Sequence, residues 1–283
     1  MNLRLRSFTL EDAEVCGQIC YEAFKQIDEA HGFPPAFESP EVAAGLLASR
    51  ASMGFYGVVA EVDGRIAGSN FMDERGAIGG IGPISVDLDY QNAAIGRQLM
   101  QDVIDRGASQ GLAGVRLTQA AYHNRSLSLY AKLGFVVREP LAVMKGQSPA
   151  AVPPGYYVRP AVADDIAACA AVCVKVHGHE RAAELKSAVE RGAAKVVERS
   201  GRITGYVTMF GGGHAVAETN EDMKALISAW GDFAGNGFLV PTRNAELFDW
   251  CLNSGLRVVE PMTLMSIGLY NEPAGAFVPS YLY

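Results

Sequence analysis

The sequence predicts an α/β protein of the mixed-sheet (α+β) kind. It reads as two tandem copies of one fold, each a central, mostly antiparallel sheet flanked by helices. Three observations lead there. Strand-like runs alternate with amphipathic helical ones, most plainly over residues 80–135, where strand, polar loop, helix, strand and helix follow in turn. A stretch rich in Pro, Gly and Ser, residues 146–155, interrupts the chain near its middle and reads as a linker. The pattern ahead of that linker then returns behind it.

Taken in order, residues 3–6 alternate as a short strand. Thr9 with Asp12 three residues on forms a capping box that opens a helix. Val15, Cys16, Ile19, Cys20, Ala23, Phe24 and Ile27 trace its apolar stripe. The aromatic, proline-bearing run His31-Gly32-Phe33-Pro34-Pro35-Ala36-Phe37 ends it, and Ser39 with Pro40 starts a second helix. Residues 54–61 and 65–73 read as a hairpin turning at Asp63-Gly64. Residues 80–86 form the next strand, with Ile81, Ile84 and Val86 among small residues. The apolar pattern breaks at Asp89-Tyr90-Gln91-Asn92. From Ala93 a helical period takes over through Ile95, Leu99, Met100, Val103 and Ile104. Val115-Arg116-Leu117-Thr118 is a short strand. Asn124 is read as the N-cap of a helix that ends at Gly134, with Phe135 returning to the core. Residues 136–138 and 141–144 read as two short strands around Glu139-Pro140.

Three matches carry the repeat. Val158-Arg159, Asp164-Asp165, Cys169 and Cys173 echo Leu5-Arg6, Glu11-Asp12, Cys16 and Cys20. Gly201-Arg202-Ile203-Thr204-Gly205 echoes Gly64-Arg65-Ile66-Ala67-Gly68. Gly255-Leu256-Arg257-Val258-Val259-Glu260-Pro261 echoes Gly134-Phe135-Val136-Val137-Arg138-Glu139-Pro140. The expected domains are therefore residues 1–146 and 156–283, joined by 147–155. The tail, from Pro273 with Phe277, Tyr281 and Tyr283, is expected to pack back on the body.

Bulk properties narrow the function. At 283 residues the chain suits two domains, and 49% hydrophobic residues suffice for two cores. No apolar run approaches the roughly 18 residues of a membrane helix, and the N-terminus turns polar too soon for a signal peptide. A net charge of −7 without a Lys/Arg cluster argues against nucleic acid or an anionic membrane as partner. Cys16, Cys20, Cys169, Cys173 and Cys251 show neither zinc spacing nor a disulfide pattern. Buried thiols and a cytoplasmic protein without metal are expected.

The loop before the third helix is where chemistry is expected. A helix start has unpaired N–H groups and the positive end of the dipole; small residues at Ala93, Ala94 and Gly96 leave those donors open, and Arg97 adds charge. On the loop alone, a phosphate cradle and a plain helix start with a packing glycine both fit. The following residues separate them. Gln91-Asn92-Ala93-Ala94-Ile95-Gly96, followed by Asn124, Tyr130 and Gly134-Phe135, resembles the GNAT superfamily of acyl-CoA-dependent N-acyltransferases. Its loop motif is Gln/Arg-x-x-Gly-x-Gly/Ala, and Ala94 departs from it where the family has glycine. Leu88 stands where proline is frequent.

The resemblance implies acetyl-CoA as cosubstrate, with amides near Val86 polarising the thioester carbonyl and amides of residues 92–97 holding the pyrophosphate. Asn124 would bond the pantetheine arm or fix the loop before its helix, and Tyr130 would give a proton to the leaving thiolate. For Tyr130 a half-buried core tyrosine is the alternative. The first helix pair would wall the acceptor site, making His31, Phe33, Phe37 and Asp73 candidate contacts. The base is open among Asp73, Glu74, Asp87, His31, His123 and Glu22. In the second copy Glu218, Glu221 and Asp222 stand where the phosphate loop should be and would repel a pyrophosphate, and Trp250 lies in the region of Tyr130, so that copy is expected to be non-catalytic. The expected activity is acetyl transfer to a primary amine, on a small molecule or a peptide. A CoA-binding sensor without turnover is the alternative, and a catalytic second half is a third reading. Monomer and homodimer are both open.

Overall fold

A computed structural model describes residues 2–148 and 151–282; Pro149, Ala150 and Tyr283, named above in the linker and tail, lie outside the described residues. The chain divides into two compact units. One runs to Leu117 and takes in Tyr122–Phe135; the other holds Thr118–Ala121 and Val136–Tyr281.

The first unit contains β1 (Leu3–Ser7), α1 (Ala13–Ala30), α2 (Pro40–Ser52), β2 (Tyr56–Val62), β3 (Arg65–Asp73), β4 (Ile78–Ile81), β5 (Ser85–Val86) and α3 (Ile95–Ser109). It also takes most of β6 (Gly114–Ala120), and α4 (Asn124–Lys132). The strands lie in the order β1-β2-β3-β4-β6, with β5 on β3; all pairs are antiparallel except β4 with β6. The capping box at Thr9 and Asp12 forms, and Arg6 locks it, reaching Asp12 at 2.7 and 2.8 Å and Glu61 at 2.7 Å. Asp63 and Gly64 both adopt the left-handed backbone that a two-residue hairpin demands. Cys16 and Cys20 face the core with Ala43, Leu47, Val59 and Phe71. Val15 does not belong to that stripe; it is 48% exposed.

The strand expected over residues 80–86 is two strands. Gly82-Pro83 interrupts it, since proline has no N–H for a ladder. The pieces β4 and β5 pair separately with β3, at Met72↔Ile81 and Gly68↔Val86. β4 holds β6 only over Ile78↔Gly114 to Gly80↔Arg116.

The second unit contains β7 (Val136–Gln147), β8 (Tyr156–Pro160), α5 (Ile166–His177), α6 (Ala182–Glu190), β9 (Lys195–Arg199), β10 (Arg202–Val207), β11 (Ala215–Ala217) and α7 (Asn220–Ser228). β12 (Asp232–Pro241), α8 (Ala245–Asn253), β13 (Arg257–Gly268) and β14 (Ala276–Val278) complete it. Its five-stranded antiparallel sheet runs β14-β11-β10-β9-β8, so the tail closes the edge at Val216↔Phe277. Met144, Phe210, Leu226, Phe233 and Phe238 anchor the core. Burying each such side chain contributes about 1.5–3 kcal/mol.

The repeat is visible in three dimensions. Arg159 grips Asp165 at 2.6 and 2.8 Å and Glu198 at 2.8 Å, as Arg6 grips its own pair. Ser200 and Gly201 form the second left-handed hairpin turn, and both hairpins carry a bulge, at Ala67 and at Thr204. One expectation fails. Residues 136–144 are one strand, not two, and β7 lies between β12 and β13. Replacing each residue of the β7–β13 ladder by its counterpart in the other copy maps the register onto itself. Glu260↔Val143 becomes Leu264↔Glu139, and the counterparts Leu141 and Met262 face each other. Likewise Ala121 N–H donates to Pro261 O, as Thr242 N–H donates to Pro140 O. Among the described residues no helix is long and apolar enough to cross a membrane.

Candidate active site

Gly68 lets β5 lie close on β3; a Cβ there would stand 2.5 Å from Ser85 O. From Val86 the chain turns away. Asp87 N–H donates to Ala67 O, and its carboxylate accepts from Asp89 N at 2.9 Å, shaping a single 3-10 turn over residues 88–90. Asn92 and Ala94 then take left-handed backbones, at φ 67° and 61°. For alanine this conformation is strained, and alternation of the two hands turns successive N–H groups to one side. Ala94 is the N-cap of α3 and supplies no side-chain cap, which leaves the first-turn amides of Ile95, Gly96 and Arg97 open. Arg97 is exposed beside them. Arg125 spans the loop, donating to Gln91 Oε1 at 2.9 Å and Asn92 Oδ1 at 2.8 Å, and Gln91 donates onward to Gln26. This is an amide cradle flanked by two guanidinium groups.

α4 brings Tyr130 inward. Its side chain is buried beside Phe135, with ring centroids 6.0 Å apart, and its hydroxyl makes no hydrogen bond among the described residues. Burial pushes its phenol above the usual range, so it stays protonated at neutral pH. Asn124 is not the N-cap. That position is His123, and Asn124 is the exposed first helical residue. The second copy keeps asparagine at the corresponding cap, Asn244, whose side chain accepts from Leu247 N.

The expected acceptor residues divide. Phe33 stacks on Tyr122 at 4.2 Å and 13°, and His31 approaches the same ring at 5.2 Å. Phe37 does not join them; it packs edge-on against Phe24 beside the α1–α2 core. Asp73 is held by Arg75 through two 2.7 Å contacts, and Glu74 by Arg106 at 2.7 and 2.8 Å. Glu22 accepts from Gln18, and His31 Nδ1 bonds Ile27 O at 2.8 Å. Burial holds His123 below the usual imidazole range, which favours its neutral form.

Sequence reasoning missed Asp28 and Tyr122. Asp28 is 4% exposed, takes Tyr122 OH at 3.0 Å and Ala36 N–H at 2.9 Å, and so fastens the α1–α2 loop to the stacked rings. Desolvation raises its pKa. A cleft of about 770 Å³ bordered by α1 and the start of α2, lined by Glu14, Gln18, Glu22, Glu41, Arg65 and Asp87 among others, includes neither Tyr130 nor the amide cradle.

The second copy is closed at each corresponding point. Only Glu218 and Thr219 separate β11 from α7, where residues 87–94 separate β5 from α3. Thr219 caps α7, and Asp222, fully buried, accepts from Thr204, Thr219 and Arg199. The acids there were expected to repel a phosphate. Instead they are neutralised, Glu218 by Arg202 at 2.6 Å and Lys175 at 3.1 Å, and what is missing is the loop itself. His214, 1% exposed, fills the turn before β11, with Tyr206 OH at 2.8 Å on one nitrogen and Glu184 at 3.0 Å on the other. Burial keeps His214 neutral; desolvation would raise Glu184, but the Arg181 charge and the hydrogen bonds from His214 and Thr208 hold it well below the usual carboxylate range. The counterpart of Tyr130 is Cys251, not Trp250. Leu256 N–H donates to Cys251 O as Phe135 N–H donates to Tyr130 O.

Residues 11–135 match the model of the acetyltransferase (GNAT) family. Two solved structures share the fold along nearly the whole chain. A protein from Pyrococcus horikoshii assigned as an acetyltransferase aligns at TM-score 0.72 and 18% identity, over 97% of this chain and 94% of its own. A GCN5-related N-acetyltransferase from Sphaerobacter thermophilus aligns at 0.62 and 16%, over 95% and 96%. The PaiA N-acetyltransferase from Thermoplasma acidophilum, solved with coenzyme A, covers 49% of this chain and 92% of its own at 18% identity and TM-score 0.42. No curated protein matches the sequence.

Proposed function

We propose that this chain, which carries a GNAT acetyltransferase domain over residues 11–135, transfers an acetyl group from acetyl-CoA to a primary amine by direct attack in a ternary complex. The observation that carries the reading is the uncapped α3 start preceded by left-handed Asn92 and Ala94, flanked by Arg97 and Arg125. Open amides and two cations suit a diphosphate. The coenzyme's residues are then Val86, Gln91, Asn92, Ala93, Ala94, Gly96, Arg97 and Asn124, with β5 offering amides to the thioester carbonyl where β4 and β5 part. Such donors contribute a few kcal/mol as oxyanion charge develops.

Tyr130 is the acid. Its protonated, unpartnered hydroxyl gives its proton to the departing thiolate as the C–S bond breaks. The amine nitrogen forms the new bond to the carbonyl carbon and loses its proton to water or to a candidate base such as His31. Holding amine and thioester in line supplies much of the acceleration, so no acyl-enzyme is required. His31, Phe33 and Tyr122 form the acceptor wall, and the second unit is non-catalytic, its corresponding positions filled by its own side chains.

Release of free thiol from acetyl-CoA across an amine panel tests this, together with calorimetry that counts bound coenzyme. One coenzyme per chain with amine-dependent thiol release is expected. Binding without release on any amine would favour the sensor reading, and two coenzymes per chain would contradict the closed second copy.

A further inference from the structure

Arg50, near the C-terminal end of α2, is a cation without an anion. Its Nη1 donates to Gly82 O, at the break between β4 and β5. Its Nε is cut off from solvent and has no hydrogen-bond partner. No carboxylate pairs with it among the described residues. Arg6, Arg75 and Arg106 of the same unit each grip one at 2.7 Å. Asp73, which acts on Arg50 from farther off, is held by Arg75. The guanidinium carbon stands 5.6 Å from the centre of the Phe55 ring, and the buried Cys20 thiol also lies within electrostatic reach. Burial pulls the guanidinium down to about 10, still charged at neutral pH. A desolvated charge with an unused donor destabilises the free protein unless a partner arrives.

We infer that Arg50 receives an anionic group of the acceptor, a carboxylate, so that the acceptor is an amine bearing an acid function such as an amino acid or the end of a peptide. The inference rests on the acetyl-transfer reading, because its site is the strand break three residues before Ser85, where that reading puts the acetyl group. A planar guanidinium suits a carboxylate in two-point contact, and the bond to Gly82 O fixes its direction. Arg50 is thus a specificity residue that touches substrate but exchanges no proton.

The test uses the full chain and acid–amide pairs: glycine, alanine, phenylalanine and glutamate, each against its carboxamide. Two readouts apply, thiol release with acetyl-CoA and the melting temperature with coenzyme A present. Acids are expected to raise the wild-type melting temperature and to show KM values about tenfold or more below their amides, the effect of one charge-assisted contact. In Arg50→Gln the acid–amide difference should vanish while coenzyme affinity holds. Arg50→Lys, which keeps the charge but not the fork, should fall between and serves if Arg50→Gln does not fold. Acids and amides indistinguishable on the wild type would overturn the proposal. So would an Arg50→Gln variant that lowers kcat on both series alike, the signature of a role at the thioester or in folding. Failure of coenzyme binding would remove the acetyl-transfer reading instead, while the acid effect on melting of the free protein would still judge Arg50.

Discussion

Replacing Gly96 by alanine should stabilise the fold and keep the coenzyme, whereas glutamate at the same position should be accepted by the fold and refused by the coenzyme. A Cβ at this position would stand 3.6 Å from Val86 Cγ2 and 3.7 Å from Leu129 Cδ2, which is ordinary contact. The residue lies in the first turn of α3 with an ordinary right-handed backbone, so nothing within the protein demands glycine. Alanine there should stabilise by up to about 1 kcal/mol, a rise of roughly 2–4 °C in Tm for a chain of this size. A glutamate there would instead set a carboxylate among the amides that would meet a diphosphate, where the loop motif admits only glycine or alanine. Losing even one charge-assisted hydrogen bond costs about 1.5–3 kcal/mol, or roughly a ten- to hundredfold weaker complex. Calorimetric melting and titration with coenzyme A on the same preparations measure both. Wild-type affinity in Gly96→Glu would refute the cradle, because a carboxylate cannot share those amides with a diphosphate.

Three further outcomes are expected. Tyr130→Phe should lower kcat at least tenfold with coenzyme affinity kept and Tm nearly unchanged, since the hydroxyl has no partner to lose; steady-state kinetics with calorimetry would show it. Glu218 is held down to about 2 by Arg202 and then Lys175. Its contribution is therefore present above its unfolded value near 4.5 and lost as pH falls from there toward 2. Glu218→Gln should flatten the decline of stability across that window, followed by circular dichroism. Arg6→Met and Arg159→Met should each cost about 2 kcal/mol in urea unfolding, because each strips two charge-assisted bonds from a buried capping carboxylate. A silent result in both would show that the caps hold without their arginines.

Local chemistry was legible and distant pairing was not. The Thr9-Asp12 capping box, the Asp63-Gly64 hairpin, the bounds of β3 and the apolar face of α3 follow from residues a few positions apart, and all are found. The break at Gly82-Pro83 escaped because a run of small residues carries no alternation to interrupt. β7 was split in two because Pro140 looks like a strand end, yet its carbonyl still accepts from Thr242 N–H. Arg50 resembles any solvated arginine on a helix until the fold closes over it. Asp28 and Tyr122 are 94 residues apart, and only the fold makes them partners. The shift from Trp250 to Cys251, and from Asn124 to His123, needed the backbone hydrogen bonds that fix register.

The ladder between β7 and β13 has a consequence for dissection. A pairing unchanged when the copies trade places, with Leu141 opposite its own counterpart Met262, has the form of an isologous two-fold contact, here made within one chain. Being intramolecular, it needs no second molecule to pair either strand. Producing residues 1–148 alone would leave β7 without β12 and β13, both its edges bare and open to aggregation.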